Sequence, residues 1–177
     1  MQIIFITGAA CSGKTTYIKE HFGASAPVMY VGNIVKTLAI KEKCQVEELI
    51  DKKTFLCNKE SEIRRYIVEG AKGYALSGGE LYIVDGFPRS VDQVYFMLNE
   101  PFFKEHEIEI RDFNLDPILL KERMLNRGRP NDSEQRLEVE LDRFTRMRDY
   151  IRQLQNVKAD YDNINTYFHI TYTLINN

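Results

Sequence analysis

Residues 8–15 read Gly8-Ala9-Ala10-Cys11-Ser12-Gly13-Lys14-Thr15, or GAACSGKT, and fit the spacing G-x-x-x-x-G-K-[ST]. The six residues before them, Gln2–Thr7 (QIIFIT), are nearly all apolar and β-branched or aromatic, as in a strand covered on both faces. A helical pattern comes next, at Lys14–Glu20. Strand, glycine turn and helix in that order are the context in which this spacing cradles phosphate. Gly8 and Gly13 permit backbone angles that other residues resist, so the N–H groups of Ala9, Ala10, Cys11 and Ser12 can turn toward anionic oxygens. Lys14 would bridge the terminal phosphates, and the hydroxyl of Thr15 or Thr16 would reach Mg²⁺. The bland alternative is a tight turn with Ser12 or Thr15 capping a helix; the flanking strand and helix weigh against it.

Working outward, short apolar runs alternate with longer helical patterns. Val28–Val31, Leu81–Val84, Ile108–Leu115 and Tyr167–Ile170 read as further strands. Ile34–Lys43, Lys59–Leu76, Val91–Leu98 and Pro117–Asn126 read as helices between them. Leu137, Leu141, Phe144, Met147, Ile151 and Leu154 recur at steps of three and four, one apolar stripe of a last, long helix. The alternation predicts an α/β fold, three layers with a five-stranded parallel sheet and helices on both faces. Ligands then sit at the carboxyl ends of the strands. The last strand is expected to end near Thr171, leaving a tail too short for another helix.

Composition narrows the function classes. The chain has 177 residues, 44% hydrophobic and 28% charged, with a net charge of −2. That balance excludes a nucleic-acid binder driven by bulk charge, and the length suits one domain spanning 1–177. No apolar run approaches the roughly 18–20 residues that would span a membrane. The N-terminus lacks the basic region of a signal peptide. Cys11, Cys44 and Cys57 show no C-x-x-C spacing, so neither disulfide framework nor zinc site is indicated, and a cytoplasmic monomer is expected. His21, His106 and His169 read as structural.

The second chemistry-bearing stretch is Tyr82-Ile83-Val84-Asp85-Gly86-Phe87-Pro88-Arg89-Ser90-Val91-Asp92-Gln93. Asp85 closes a strand, where a carboxylate can hold metal-bound water beside a triphosphate. Gly86 and Pro88 set a sharp turn, after which Arg89 offers a planar fork suited to phosphate. Gln93 lies one helical turn beyond Arg89, so a guanidinium and an amide can face one ligand. Taken singly, Asp85 is equally a helix cap and Arg89 a surface ion pair. A third stretch, Arg123-x-x-x-Arg127-Gly128-Arg129-Pro130-Asn131-Asp132, puts Arg123 and Arg127 on one helical face and Arg129 on a connection broken by Gly128 and Pro130.

These three segments, in this order and spacing, resemble adenylate kinases and their nucleoside monophosphate kinase relatives over nearly the whole chain. YIVDGFPRSVDQ is the most specific of them. The resemblance implies transfer of the γ-phosphoryl of ATP, as its Mg²⁺ complex, to a nucleoside monophosphate. AMP is the first expectation, with UMP, CMP or a deoxynucleotide next. It implies an acceptor-binding segment at about 31–76, with Val31, Gly32 and Lys36, and a short lid at about 123–135. Lys14, Arg89, Arg123, Arg127 and Arg129 would be catalytic, Thr15 and Asp85 would serve the metal, Arg123 would also touch ATP, and Gly86, Arg89, Gln93, Arg129 and Arg143 would touch the acceptor. Departures are plain as well. Asn33, Val31 and Lys36 stand where the family carries a carboxylate, a threonine and an arginine, and Asn131 replaces an aspartate. The family's final lid arginine falls on Glu140, with Arg136 and Arg143 on the same helical face as substitutes, Arg143 preferred. A kinase of a non-nucleotide acceptor and a nucleotide-binding regulatory protein of weak turnover are the rival expectations.

Overall fold

The computed structural model describes residues 1–44, 53–129, 132–160 and 170–176, the side chains of 53–58 and 157–160 excepted. Five strands form one sheet: β1 Gln2–Gly8, β2 Val28–Tyr30, β3 Leu81–Asp85, β4 Glu107–Asn114 and β5 Ile170–Asn176. The helices are α1 Lys14–Phe22, α2 Val31–Lys41, α3 Lys53–Leu76, α4 Val91–Asn99, α5 Pro101–Lys104, α6 Pro117–Arg127 and α7 Glu134–Asp160. The sheet order is β2-β3-β1-β4-β5 and every pairing is parallel. This is the expected α/β architecture.

Alternation along β1 decides both layers. Ile3 and Phe5 face one core with α2, α3, α4 and α7, through Leu38, Ile67, Met97 and Phe144 among others. Ile4 and Ile6 face the other, with Ile83 and Phe113, where Ile18, Tyr17 and Phe22 of α1 cover them. Both faces of the central strands are therefore buried, which is why they read as unbroken apolar runs.

The pairing of β1 with β3 matters most for the site. Ile6 lies opposite Asp85 in parallel register, so the turn after β1 and the turn after β3 emerge side by side. The Gly86 N–H donates to the Ile6 carbonyl at 2.8 Å, and the buried Thr7 hydroxyl donates to the Pro88 carbonyl. Two segments about eighty residues apart are thus tied into one rim.

Helix α7 is fixed to the sheet by a buried ion pair. Asp112 of β4, 0% exposed, accepts from Arg148 Nε at 2.6 Å, Arg148 Nη2 at 3.0 Å and the Tyr172 hydroxyl of β5 at 2.8 Å. Burial and the carboxylate together push the Tyr172 hydroxyl well above its ordinary value.

Several boundaries differ from expectation. The last strand is Ile170–Asn176, paired with β4 from Ile108↔Ile170 to Asn114↔Asn176, so ITYTLIN is sheet rather than tail. Its exposed Thr171 and Thr173 alternate with half-buried Tyr172 and Leu174, the period-two pattern of an outer strand. Residues 167–169, where the strand was expected to begin, lie outside the described residues. Helix α2 starts at Val31, directly after β2, rather than at Ile34, because Val31 and Ile34 pack inward one turn apart. Residues 45–52 of the expected acceptor segment and 130–131 of the expected lid also lie outside the described residues. Among the described residues, no helix is long and apolar enough to cross a membrane.

Candidate active site

Backbone conformation shapes the GAACSGKT loop. Gly8, Cys11 and Gly13 have φ of +131°, +64° and +95°. At Gly8 a Cβ would fall 2.5 Å from the Phe113 carbonyl oxygen of β4, so glycine is required by both torsion and space. Gly13 is the N-cap of α1 and no side chain caps that end, leaving its first N–H groups facing the loop. Thr15 and Thr16 stand exposed on this first turn.

Lys14 curls back over the loop. Its Nζ donates to the Gly8 carbonyl at 2.9 Å, the Ala9 carbonyl at 2.7 Å and the Ser12 hydroxyl at 3.2 Å. Burial lowers its pKa to about 8, against the opposing pull of Asp85 and Glu140 and with some help from Arg89. A lysine so placed sweeps the loop mouth through its four-carbon stem.

Across the rim stands the turn after β3. Asp85 is 9% exposed, and its Oδ1 is buried without a hydrogen-bond partner. Burial raises its pKa, with Lys14 and Arg89 pulling the other way. An orphaned carboxylate oxygen beside a phosphate loop has the chemistry to take a cation or cation-bound water, so Asp85 fits the metal expected there. Gly86, at φ +94°, is a position other side chains resist, and Phe87–Pro88 is a cis peptide.

Arg89 and Gln93 sit where the sequence put them, with partners it did not reveal. Gln93 Oε1 accepts the Arg89 backbone N–H at 2.6 Å, and Ser90, the N-cap of α4, accepts the Gln93 N–H at 3.4 Å. This is close to the reciprocal S-x-x-Q capping arrangement. Gln93 Nε2 donates to Glu60 of α3 at 3.2 Å, and Glu60 pairs with Arg64 at 2.8 Å. The Gln93 amide is therefore engaged at both ends, and a base would have to exchange with these partners.

Arg89 Nη2 donates to Glu140 Oε1 at 2.9 Å. Glu140, only 8% exposed, lies on α7 and has its other oxygen, Oε2, 3.1 Å from the Ala10 N–H of the phosphate loop. Arg136 Nε is 3.5 Å from Oε1. Burial alone would raise the Glu140 carboxyl, but Arg89, the Ala10 N–H, Arg136 and Lys14 outweigh it and hold it below its ordinary value. Arg143, the preferred substitute for the missing lid arginine, is exposed, whereas Arg136 is the one turned toward Glu140.

The lid arginines divide. Arg123 Nη1 approaches the Cys11 carbonyl at 3.5 Å, and so reaches the phosphate loop. Arg127 is instead paired with Asp132, Nε to Oδ2 at 2.9 Å, and the Arg129 N–H donates to that same Oδ2 at 3.1 Å. Asp132 thus organises the start of the connection, and the hydrogen bond from Arg127 holds its carboxyl below the usual range. The Arg129 side chain is exposed. Of the residues expected to bind the acceptor, Val31 is buried beneath Gly86, while Gly32 and Lys36 are exposed on the first turns of α2. Glu60 is the residue here that sequence reasoning missed; Glu140 was noticed only as a departure, and Arg136 only as the less favoured substitute.

No protein-family model and no curated protein matches the sequence. Among solved structures, a protein of Chloroflexus aurantiacus J-10-fl described as a "putative kinase" shares the fold with a TM-score of 0.57. It is 17% identical, and the match covers 78% of this chain and 77% of that one. In all, 176 solved chains match, so the architecture is widely used and the substrate must be argued from the site.

Proposed function

We propose that this chain is a phosphotransferase that moves the γ-phosphoryl of ATP to a nucleoside monophosphate, AMP first, with UMP, CMP or a deoxynucleotide as the next candidates. One observation carries the reading. An amide of the phosphate loop, Ala10 N–H, and the guanidinium of Arg89 on the neighbouring turn both bond to one carboxylate, at 3.1 and 2.9 Å. A donor-side and an acceptor-side anion binder are thus one small anion apart, the spacing that in-line transfer between two phosphates needs. The fold shared with a protein described as a kinase is in keeping with it.

The work is divided among the residues of the rim. N–H groups of Gly8–Thr15 and the start of α1 bind the β- and γ-phosphates. Lys14 exchanges the Gly8 and Ala9 carbonyls for phosphate oxygens, which favour its charged form. Thr15 and Asp85 would hold Mg²⁺, which when bound neutralises charge on the triphosphate. Arg89 orients the acceptor phosphate, already an anionic nucleophile, so no side chain has to act as a strong base. Arg123, which reaches the loop at Cys11, would meet charge spread over the transferring group, and Arg129 would meet the acceptor. Asp132 and Arg127 hold the turn from which Arg129 extends. Val31, Gly32, Lys36 and Gln93 border the acceptor's nucleoside. Binding of that nucleoside trades the Gln93–Glu60 bond for one to the base.

The test is ADP formation from ATP across a panel of nucleoside monophosphates, with Lys14→Ala as the control. Acceleration by at least one monophosphate supports transfer, and the fastest names the acceptor. Equal rates with and without acceptor point to a hydrolase. No rate above the control points to a nucleotide-binding protein without turnover.

A further inference from the structure

Among the described residues, Glu140 is the one buried glutamate, and its set of partners is unusual. Glu140 accepts from a phosphate-loop amide and from Arg89, with Arg136 3.5 Å away, and it feels the charge of Lys14. An amide at a helix-opening glycine loop, two guanidiniums and the charge of a nearby lysine make a donor set that suits a phosphoryl group as well as a carboxylate. The planar carboxylate spans them with its two oxygens, one toward the loop and one toward Arg89.

We propose that Glu140 is a built-in occupant of the phosphoryl-transfer position, and that nucleotide phosphates bind by displacing its carboxylate from Ala10 and Arg89. The inference rests on the reading of residues 8–15 as a triphosphate loop. It adds a gate to that reading: the charge that readies Arg89 and the loop for an anion is also a competitor for them.

The fold decides what has to move. Arg148, about two turns along α7 from Glu140, is bound into the sheet through Asp112 and Tyr172. Ahead of Glu140, Arg136 is 4.0 Å from Asp132, which also holds Arg127 of α6. With α7 tied on both sides, the carboxylate yields by side-chain rotation toward solvent rather than by movement of the helix. Arg89 and Arg136 are then released together to the incoming phosphates. A triphosphate brings more charge and more oxygens than one carboxylate, and so it wins the exchange.

The alternative role for Glu140 is purely positional, holding Arg89 in place for the acceptor. The two roles predict opposite signs. Calorimetric binding of Mg·ATP and of AMP, each alone, to the wild type, Glu140→Gln, Glu140→Asp and Lys14→Ala separates them. Losing the charge of a bonded competitor should tighten Mg·ATP binding to Glu140→Gln by about tenfold or more. Glu140→Asp keeps the charge but withdraws it by one methylene, and should tighten binding by less. Should Glu140→Gln not fold, Glu140→Asp carries the test by itself. Unchanged or weaker Mg·ATP binding, with wild-type binding still dependent on Lys14, overturns the gate alone. Weaker AMP binding to Glu140→Gln assigns the positional role and likewise overturns it. Wild-type Mg·ATP binding no better than that of Lys14→Ala overturns both the gate and the phosphate-loop reading.

Discussion

Replacing Asp112 by alanine tests how the site's scaffold is held. Asp112 is 0% exposed and accepts three hydrogen bonds, two from Arg148 at 2.6 and 3.0 Å and one from the Tyr172 hydroxyl at 2.8 Å. The Arg148 side chain is itself only 12% exposed, so the substitution leaves a cation with little access to water. Breaking such a buried pair from one side costs about 3–5 kcal/mol, mostly the desolvation of the partner left behind. With a urea m-value of about 2 kcal/mol/M, the unfolding midpoint should fall by roughly 1.5–2.5 M. Equilibrium unfolding in urea, followed by far-UV circular dichroism, measures it. Adding Arg148→Met removes the stranded charge, so the double variant should recover part of the loss. A single-variant loss below about 1 kcal/mol would show that Asp112 and Arg148 are not a desolvated pair. Losses that simply add in the double variant would show the same. Because α7 carries Glu140 and Arg136, the destabilised variant should also lose activity beyond its unfolded fraction.

Other expectations rest on the same geometry. Gly8→Ala places a Cβ 2.5 Å from the Phe113 carbonyl at φ +131°. It should cost about 2–6 kcal/mol in urea unfolding, adding torsional strain to overpacking, and weaken ATP binding as well. Lys14 should make ATP binding pH-dependent: its folded pKa of about 8 lies below the ordinary 10.5, so the unfolded chain holds the extra proton between those values. The stability of the free protein therefore rises with pH across that window. ATP restores the charge, so its affinity should fall above about pH 8 by up to about tenfold per pH unit, and Lys14→Arg should flatten that dependence in calorimetry. Arg123→Ala should lower kcat by about 10³-fold in a coupled ADP assay, as expected for an arginine facing the transferring group. A fall under about tenfold would remove it from that role.

The sheet was legible because its signals are local and redundant. β1 and β3 are apolar on both faces, and the glycine-lysine loop dictates the turn and helix that come after β1. Helix α7 showed through its apolar stripe alone. β5 was ended too early because YFHI looks more apolar than ITYTLIN, and in an outer strand only the alternation of threonines with Tyr172 and Leu174 carries the pattern. The meeting of Lys14, Asp85 and Arg89 on one rim was legible because motifs dictate the turns that carry them. Gln93 was expected to face a ligand together with Arg89, and its capping bond to the Arg89 N–H could not be read from the spacing. Glu140 was noticed only as an acid where the family carries an arginine, and neither its burial nor its partners could be read. In QRLEVELDR it looks like one more solvated acid, and its burial arises only when α7 crosses the phosphate loop 130 residues away in sequence. The choice between Arg136 and Arg143 turns on the same crossing, since both share the helical face of Glu140.

The most direct measurement of the central claim tracks the phosphorus atom itself. With ATP labelled at the γ-phosphate, Mg²⁺ and each nucleoside monophosphate in turn, the account predicts label in the β-phosphate of a new nucleoside diphosphate. That transfer should be absent in Lys14→Ala and strongly reduced in Arg89→Ala. Label released as inorganic phosphate at one rate, whichever monophosphate is present, would contradict it.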